Sequence, residues 1–321
     1  MTDRYARQTV LGEVGAAGQA RLAAASVLVV GAGGLGCPVL HYLAGAGVGR
    51  MTIVDHDSVE ETNLHRQPLY GMDDLGKPKA LAARDRLLRF NPDIAIEAVV
   101  ARLTPQNAAG LVARSDVIVD AADSFAVTYM LSDACHALGK PLVSASVIGL
   151  TGYAGAFCGG GPSYRAVFPE VSIDGATCAT VGVLGTAVAV LGGLQAHLAL
   201  HLLLGLEPTP LGRVVTFDAR KLAFGGFGFA GSPEPDSAVP FIAPDDVKAD
   251  DLVVDLRGPD EAPQTFAGGR RIAVDDVAAL ATEPRSSGRI VLCCRSGQRA
   301  LMAADALREQ GLSNLALVAL G

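Results

Sequence analysis

A doubly wound, mainly parallel α/β sheet followed by a second, smaller α/β domain is the architecture that these 321 residues predict. Three observations carry it. Short apolar runs alternate with segments of helical spacing, the pattern of parallel strands joined by crossover helices. A glycine-rich turn links the first such run to the first helix. A stretch rich in Gly, Pro and Ser then interrupts the alternation before it resumes.

Taken in order, Ser26-Val-Leu-Val-Val30 is an apolar run that ends in glycines and reads as a strand, with a helix over 37–46. Met51-Thr-Ile-Val-Asp55 supplies the next strand. Helical spacing over 78–90 precedes a strand at 95–100, and the same alternation gives a helix at 107–114 and a strand at Val117-Ile-Val-Asp120. A helix at 127–138 and a strand at 141–147 follow. From Gly175 to Leu206 no residue is charged, a length that could span a bilayer. Gln195, His197, His201 and five glycines interrupt this stretch and no Lys/Arg cluster flanks it, so a buried core helix is expected. The expected domains are residues 1–225 and 245–321, with 226–244 as linker around Pro233-Glu-Pro235. In the second, Leu252-Val-Val-Asp255 and Ile290-Val-Leu-Cys-Cys294 read as strands and 298–310 as a helix.

Composition narrows the function. Lys plus Arg is 26 and Asp plus Glu is 33, a net charge of −7 that argues against holding DNA by neutralising phosphates. Aromatics are 5% with no Trp, so a base-stacking platform is also disfavoured and nucleic acid is not expected as the main partner. At 50% hydrophobic and 18% charged, the chain is not disordered. The N-terminus lacks an apolar signal core, so a reducing, cytoplasmic setting without a membrane is expected.

Gly31-Ala-Gly33-Gly34-Leu-Gly36 follows a strand and opens a helix, which lets backbone N–H groups and the helix N-terminus approach phosphate oxygens. Asp55 closes the next strand, where a carboxylate can accept from ribose hydroxyls. This pair alone equally fits a nicotinamide oxidoreductase. The following series separates the readings: Asp55-His-Asp57, Asn63-Leu-His-Arg66-Gln67, Gly76-Lys77-Pro-Lys79, Asn91-Pro92 and Val119-Asp120-Ala-Ala-Asp123, preceded by Arg4-Tyr5-Ala-Arg7-Gln8. A hydride-transfer enzyme needs no such ring of cations, whereas an acyl-adenylating enzyme must offset triphosphate charge as a carboxylate attacks the α-phosphate.

Over residues 1–225 this series resembles the ThiF/MoeB/HesA family, bacterial relatives of ubiquitin-activating enzymes. The resemblance implies ATP, with Arg66 and Lys79 on the phosphates, Asn63 fixing the loop and Arg7 reaching in from a partner subunit of a homodimer. Asp55 and Asp57 join the nucleotide-binding set, and Asp123 is the expected Mg²⁺ ligand, since magnesium takes one or two carboxylates plus phosphate oxygens. The chain departs from the family where Ser124 and Thr128 replace Asn and Arg. It departs again at Ser163 and Ala166, where relatives carry the first Cys-x-x-Cys of a structural zinc site, and no cysteine occurs between 178 and 293, so no zinc is expected. Cys178 precedes Gly182-Val-Leu-Gly185, and in sulfur-carrier relatives a cysteine here bonds to the activated carrier; a buried structural cysteine is the alternative. His197 and His201 stand four apart without the Glu of a zinc motif, so core or interface histidines are expected.

Cys294-Arg-Ser-Gly-Gln-Arg299 follows a strand and leads into a helix, an environment expected to lower a thiol pKa and hold an anionic persulfide. With Asp255 and Arg257 it resembles the active loop of rhodanese-like sulfurtransferases, in a domain that reads as shortened after Arg257 and at Leu320-Gly321. Cys293 is expected to point into the core. The two resemblances together imply ATP-dependent adenylation of the C-terminal glycine of a small ubiquitin-like sulfur carrier ending in Gly-Gly, then sulfur transfer from a persulfide donor by way of Cys294. Adenylation of a peptide or modified tRNA base, and a non-catalytic carrier-binding scaffold, stay open as alternatives.

Overall fold

Eight strands of the computed structural model form one sheet in the order β3-β2-β1-β4-β5-β6-β7-β8. The structure describes residues 3–169, 181–282 and 288–321. The strands are β1 (Ser26–Val30), β2 (Arg50–Val54), β3 (Ala95–Val99), β4 (Val117–Asp120), β5 (Pro141–Ile148), β6 (Thr151–Cys158), β7 (Arg213–Asp218) and β8 (Ala223–Gly228). β3 through β5 are parallel, as expected. β6 to β8 pair antiparallel and were not expected. β8, Ala-Phe-Gly-Gly-Phe-Gly, is an exposed edge whose glycines read as linker, so the sheet runs past residue 225.

The helices are α1 (Ala6–Thr9), α2 (Gly15–Ala24), α3 (Gly36–Ala46), α4 (Lys79–Phe90), α5 (Pro105–Ala113), α6 (Phe125–Leu138), α7 (Tyr164–Val167), α8 (Gly185–Leu204) and α9 (Gln298–Glu309). Side chains alternate across a strand, and β1 shows the result: Val27 and Val29 join the core under α3, α4 and α8, while Leu28 and Val30 join the core under α5 and α6. Burial on both faces explains the unbroken apolar run. α8 is the one helix among the described residues apolar and long enough to cross a membrane, and half of its most apolar window is buried. Its inner side packs Val188, Leu191 and Ala199 onto the first of these cores.

A second sheet, β10-β9-β11-β12, is parallel throughout and comprises β9 (Leu252–Asp255), β10 (Arg270–Arg271), β11 (Ile290–Cys294) and β12 (Leu315–Ala319). The core beneath α5 and α6 continues through Tyr129 and Phe241 to Leu256, Leu292 and Leu317, so both sheets share one apolar interior.

Candidate active site

β1 lies between β2 and β4, and the connections leave it in opposite directions, so a crevice opens at the carboxyl ends of these strands. The glycine turn sits there. Gly31 has φ +95°, and a Cβ on it would fall 2.6 Å from Ala121 O, so the turn presses against the loop that carries Asp123. A Cβ on Gly36 would overlap the Gly31 carbonyl, and one on Gly34 would lie 2.9 Å from Val188. Gly33 has room above it.

Asp55 follows β2 directly. Its Oδ2 accepts from Ala32 N–H at 2.7 Å and its Oδ1 from Asp57 N–H at 2.8 Å, so it holds the turn in shape with lone pairs to spare. Burial raises its pKa and these N–H groups oppose the rise. Tyr70, which the sequence did not single out, donates to Ala32 O at 2.7 Å and braces the turn from the other side.

Lys79 opens α4 and is nearly buried, with Nζ 3.0 Å from Asp57 Oδ2. Burial pushes Asp57 up, but Lys79 outweighs it and holds the carboxyl below its usual range. Asn63 Oδ1 accepts from Gln67 Nε2 at 2.9 Å, and its Nδ2 donates to Thr62 Oγ1 at 3.1 Å. Gln67 is buried under Gly33, and its Oε1 has no partner among the described residues. Arg66 is half-buried beside Gly34, its guanidinium 2.9 Å from His65 Nε2. Asp123 is exposed on the turn between β4 and α6.

The fold therefore gathers Gly31, Gly33, Gly34, Gly36, Asp55, Asp57, Asn63, Arg66, Lys79 and Asp123 around one crevice. A nucleotide fits this set, because the side-chain-free glycine turn opens α3 with Arg66 beside Gly34 and the cation Lys79 close by. A hard cation fits Asp123. Donor atoms of Asp55, His56 and Asp57 also lie within 4.8 Å of one another, but backbone N–H groups and Lys79 already engage the two carboxylates.

Arg7 is not in this crevice. It belongs to α1, whose Gln8 donates to Ala46 O at the far end of α3, and an 11-residue helix puts that end about 16 Å from the glycine turn. Cys178 lies outside the described residues.

Sequence reasoning missed the floor of the site. Asp120 is fully buried; its Oδ2 accepts from Thr128 Oγ1 at 2.7 Å and Ser144 Oγ at 2.8 Å. Gln195 of α8 donates to its backbone carbonyl at 2.5 Å. Burial pushes the Asp120 carboxyl up to about 6 against these donors. Thr128, noted only as a departure from the family, thus has a definite task.

At the position expected to lack a thiolate pair, Ser163 caps α7 by accepting from Ala166 N–H at 3.2 Å. Its own N–H and Oγ–H donate to Glu234 at 2.7 and 2.6 Å, joining α7 to the segment after β8. His197 and His201 have ring centroids 5.9 Å apart, and burial lowers the His201 pKa.

Cys294 ends β11 with its sulfur facing the N–H groups of Gly297, Arg299 and Ala300. The expected lowering of its pKa is not what the structure gives: the thiol is fully buried, and burial raises the pKa above the usual cysteine value despite those donors and Arg299. Arg299 is spread between Leu256 O at 2.9 Å and both Glu261 oxygens at 2.6 and 2.7 Å. Asp255, the cross-strand neighbour of Cys293, would be raised by burial, but Arg257 and the N–H of Phe266 hold it down at about 2. Cys293 faces the opposite core, as expected.

The sequence model of the ThiF family matches residues 5–236. The chain belongs to the ThiF family. A "Sulfur carrier protein adenylyltransferase" of Thermus thermophilus is 46% identical over 230 residues, covering 69% of this chain and 85% of that one. A "Probable adenylyltransferase/sulfurtransferase MoeZ" of Mycobacterium tuberculosis is 34% identical over 350 residues, covering 97% of this ThiF-family chain and 89% of its own length. Among solved structures, E. coli MccB with ATP superposes with a TM-score of 0.63 at 22% identity, covering 72% of this chain and 73% of that one, which shows the shared fold.

Proposed function

We propose that this ThiF-family protein uses ATP to adenylate the C-terminal glycine of a small ubiquitin-like sulfur carrier, and that Cys294 then supplies sulfur. The observation that carries the adenylation step is the crevice itself: two cations, Arg66 and Lys79, and two amide side chains converge on an open glycine turn, with Asp123 at its rim. Names of relatives across the same residues point the same way.

The glycine turn and the N-terminus of α3 bind phosphate oxygens, Asp55 accepts from ribose hydroxyls, and Arg66 and Lys79 offset charge as a carrier carboxylate oxygen bonds to the α-phosphorus and pyrophosphate leaves. A magnesium ion at Asp123 would add Lewis-acid charge on the phosphates. The body of the carrier orients its tail, so catalysis is positioning plus charge neutralisation.

For the sulfur step, Cys294 carries a persulfide taken from a persulfide donor. Its terminal sulfur attacks the acyl carbon, AMP leaves, and an acyl disulfide forms. A second thiol, for which Cys178 is the candidate, attacks the Cys294 sulfur to release the thiocarboxylate and leave a disulfide, which a dithiol reductant from solution returns to two thiols. The loop N–H groups around Cys294 suit an anionic sulfur, and the rhodanese-like reading of 245–321, behind a linker at 226–244, rests on that loop with Asp255 and Arg257.

We also place the protein in a reducing cytoplasm as a homodimer, with zinc replaced by the Ser163–Glu234 contact. α8 carries no charged residue on any side, Tyr42, Leu184 and Val190 are exposed, and Arg7 lies too far to serve its own crevice, so a second copy covering α8 would account for both. Mass spectrometry of a Gly-Gly carrier after incubation with ATP and a persulfide donor tests the whole reading. Exchange of one carboxylate oxygen for sulfur, lost in Cys294→Ala, supports it; an adenylated carrier that never gains sulfur removes the second step.

A further inference from the structure

The Cys294 loop is closed from outside by the first turn of α6. Ala126 N–H donates to Ser296 O at 3.3 Å. Gly297, at φ +86°, leaves no room: a Cβ there would lie 2.8 Å from the Phe241 ring and 3.0 Å from the Ala126 side chain. Phe241 moves with the second sheet, because Leu317 N–H donates to Pro240 O at 2.9 Å and Ile242 N–H to Leu317 O at 2.8 Å. Ala126 is three residues from Asp123, on the turn that borders the nucleotide crevice. With Cys294 fully buried, no donor in solution can reach its sulfur in this arrangement.

We propose that the first turn of α6 is a lid on the Cys294 loop, and that the second sheet must lift from α6 before the thiol can exchange sulfur with an outside persulfide. The contact to be broken is polar and weak at the mouth of the loop, with apolar packing behind it. It comprises one long hydrogen bond to Ser296 and the packing of Gly297 and Phe241 against Ala126, while the shared core around Tyr129 opens with it. An opening of this kind is a subglobal event, below the cost of unfolding either sheet. The thiol is thereby shielded from wasteful oxidation when closed, by the same turn that carries Asp123 at the rim of the crevice. The inference gains its meaning from the proposed sulfur step, but its test uses neither ATP nor a carrier, so the two stand or fall separately.

The full chain is treated with N-ethylmaleimide under native conditions, and the label on each cysteine peptide is followed by mass spectrometry. Cys294 should label faster than Cys37 on α3 and Cys135 on the third turn of α6, whose side chains are buried in the cores against the first sheet and stay covered when the second sheet lifts. Ala126→Glu, which wedges the contact, should speed labelling of Cys294 at least about tenfold while leaving Cys37 and Cys135 unchanged. Phe241→Ala opens the same mouth from the other side and should do likewise, so the proposal survives a failure of the first variant to fold. Labelling of wild-type Cys294 at the rate of an exposed thiol of the same ionisation would overturn it. So would no change in either folded variant, or equal acceleration of all three cysteines.

Discussion

Asp120 is a buried carboxylate with hydroxyl and backbone donors around it and no cation in contact among the described residues, and its pKa moves from the ordinary aspartate value of 3.8 to about 6. The folded protein therefore binds a proton more tightly than the unfolded chain, and the associated stability is present at acid pH and lost as pH rises through that window. At about 1.4 kcal/mol per pH unit, the full displacement corresponds to about 3 kcal/mol, of which about 2 kcal/mol is lost between pH 4 and pH 7. Asp120→Asn removes the titration and keeps an oxygen that can accept from Thr128 and Ser144. Urea unfolding of both proteins across this range isolates the effect, because every other titrating group is common to the pair. Wild type should lose stability relative to Asp120→Asn by about 2 kcal/mol on going from pH 4 to pH 7. Parallel curves would show that the hydroxyls already keep the carboxylate ionised, and would refute the reasoning.

Other outcomes follow from the same contacts. Lys79→Met should lower carrier-dependent pyrophosphate exchange by about a hundredfold or more through lost charge on the phosphates. It should scarcely change the melting temperature, since Asp57 is 53% exposed and water can solvate it once the ion pair is gone. Glu234→Ala removes two hydrogen bonds on Ser163 and should cost about 1–2 kcal/mol in a thermal or denaturant melt. A chelator should leave the wild-type melt unchanged; a fall in melting temperature would reveal a metal that Ser163 and Ala166 cannot explain.

The parallel half of the sheet was legible because strands buried on both faces, such as 26–30 and 117–120, are written as continuous apolar runs next to glycine turns. β6 and β8 were not, because Gly152, Gly155, Gly225 and Gly226 break the apolar pattern where strands approach closely. At Gly226 a Cβ would overlap the Val214 carbonyl. The charged residues proposed for the crevice, Asp55, Asp57, Arg66, Lys79 and Asp123, stand out by their order along the chain. Asp120, Ser144, Gln195 and Tyr70 do not, since their roles depend on which side chains meet across the sheet. The Cys294 environment was misjudged for a related reason. Its loop supplies the expected N–H donors, but the degree of burial is set by α6 and Phe241, far away in sequence.

The most direct measurement is ATP–pyrophosphate exchange with a panel of small carriers ending in Gly-Gly, comparing wild type, Asp123→Ala and Cys294→Ala. Exchange that requires a carrier, is lost in Asp123→Ala and persists in Cys294→Ala is the result this account predicts. ATP binding without exchange for any carrier would contradict it, and would point to another carboxylate or to a binding role alone.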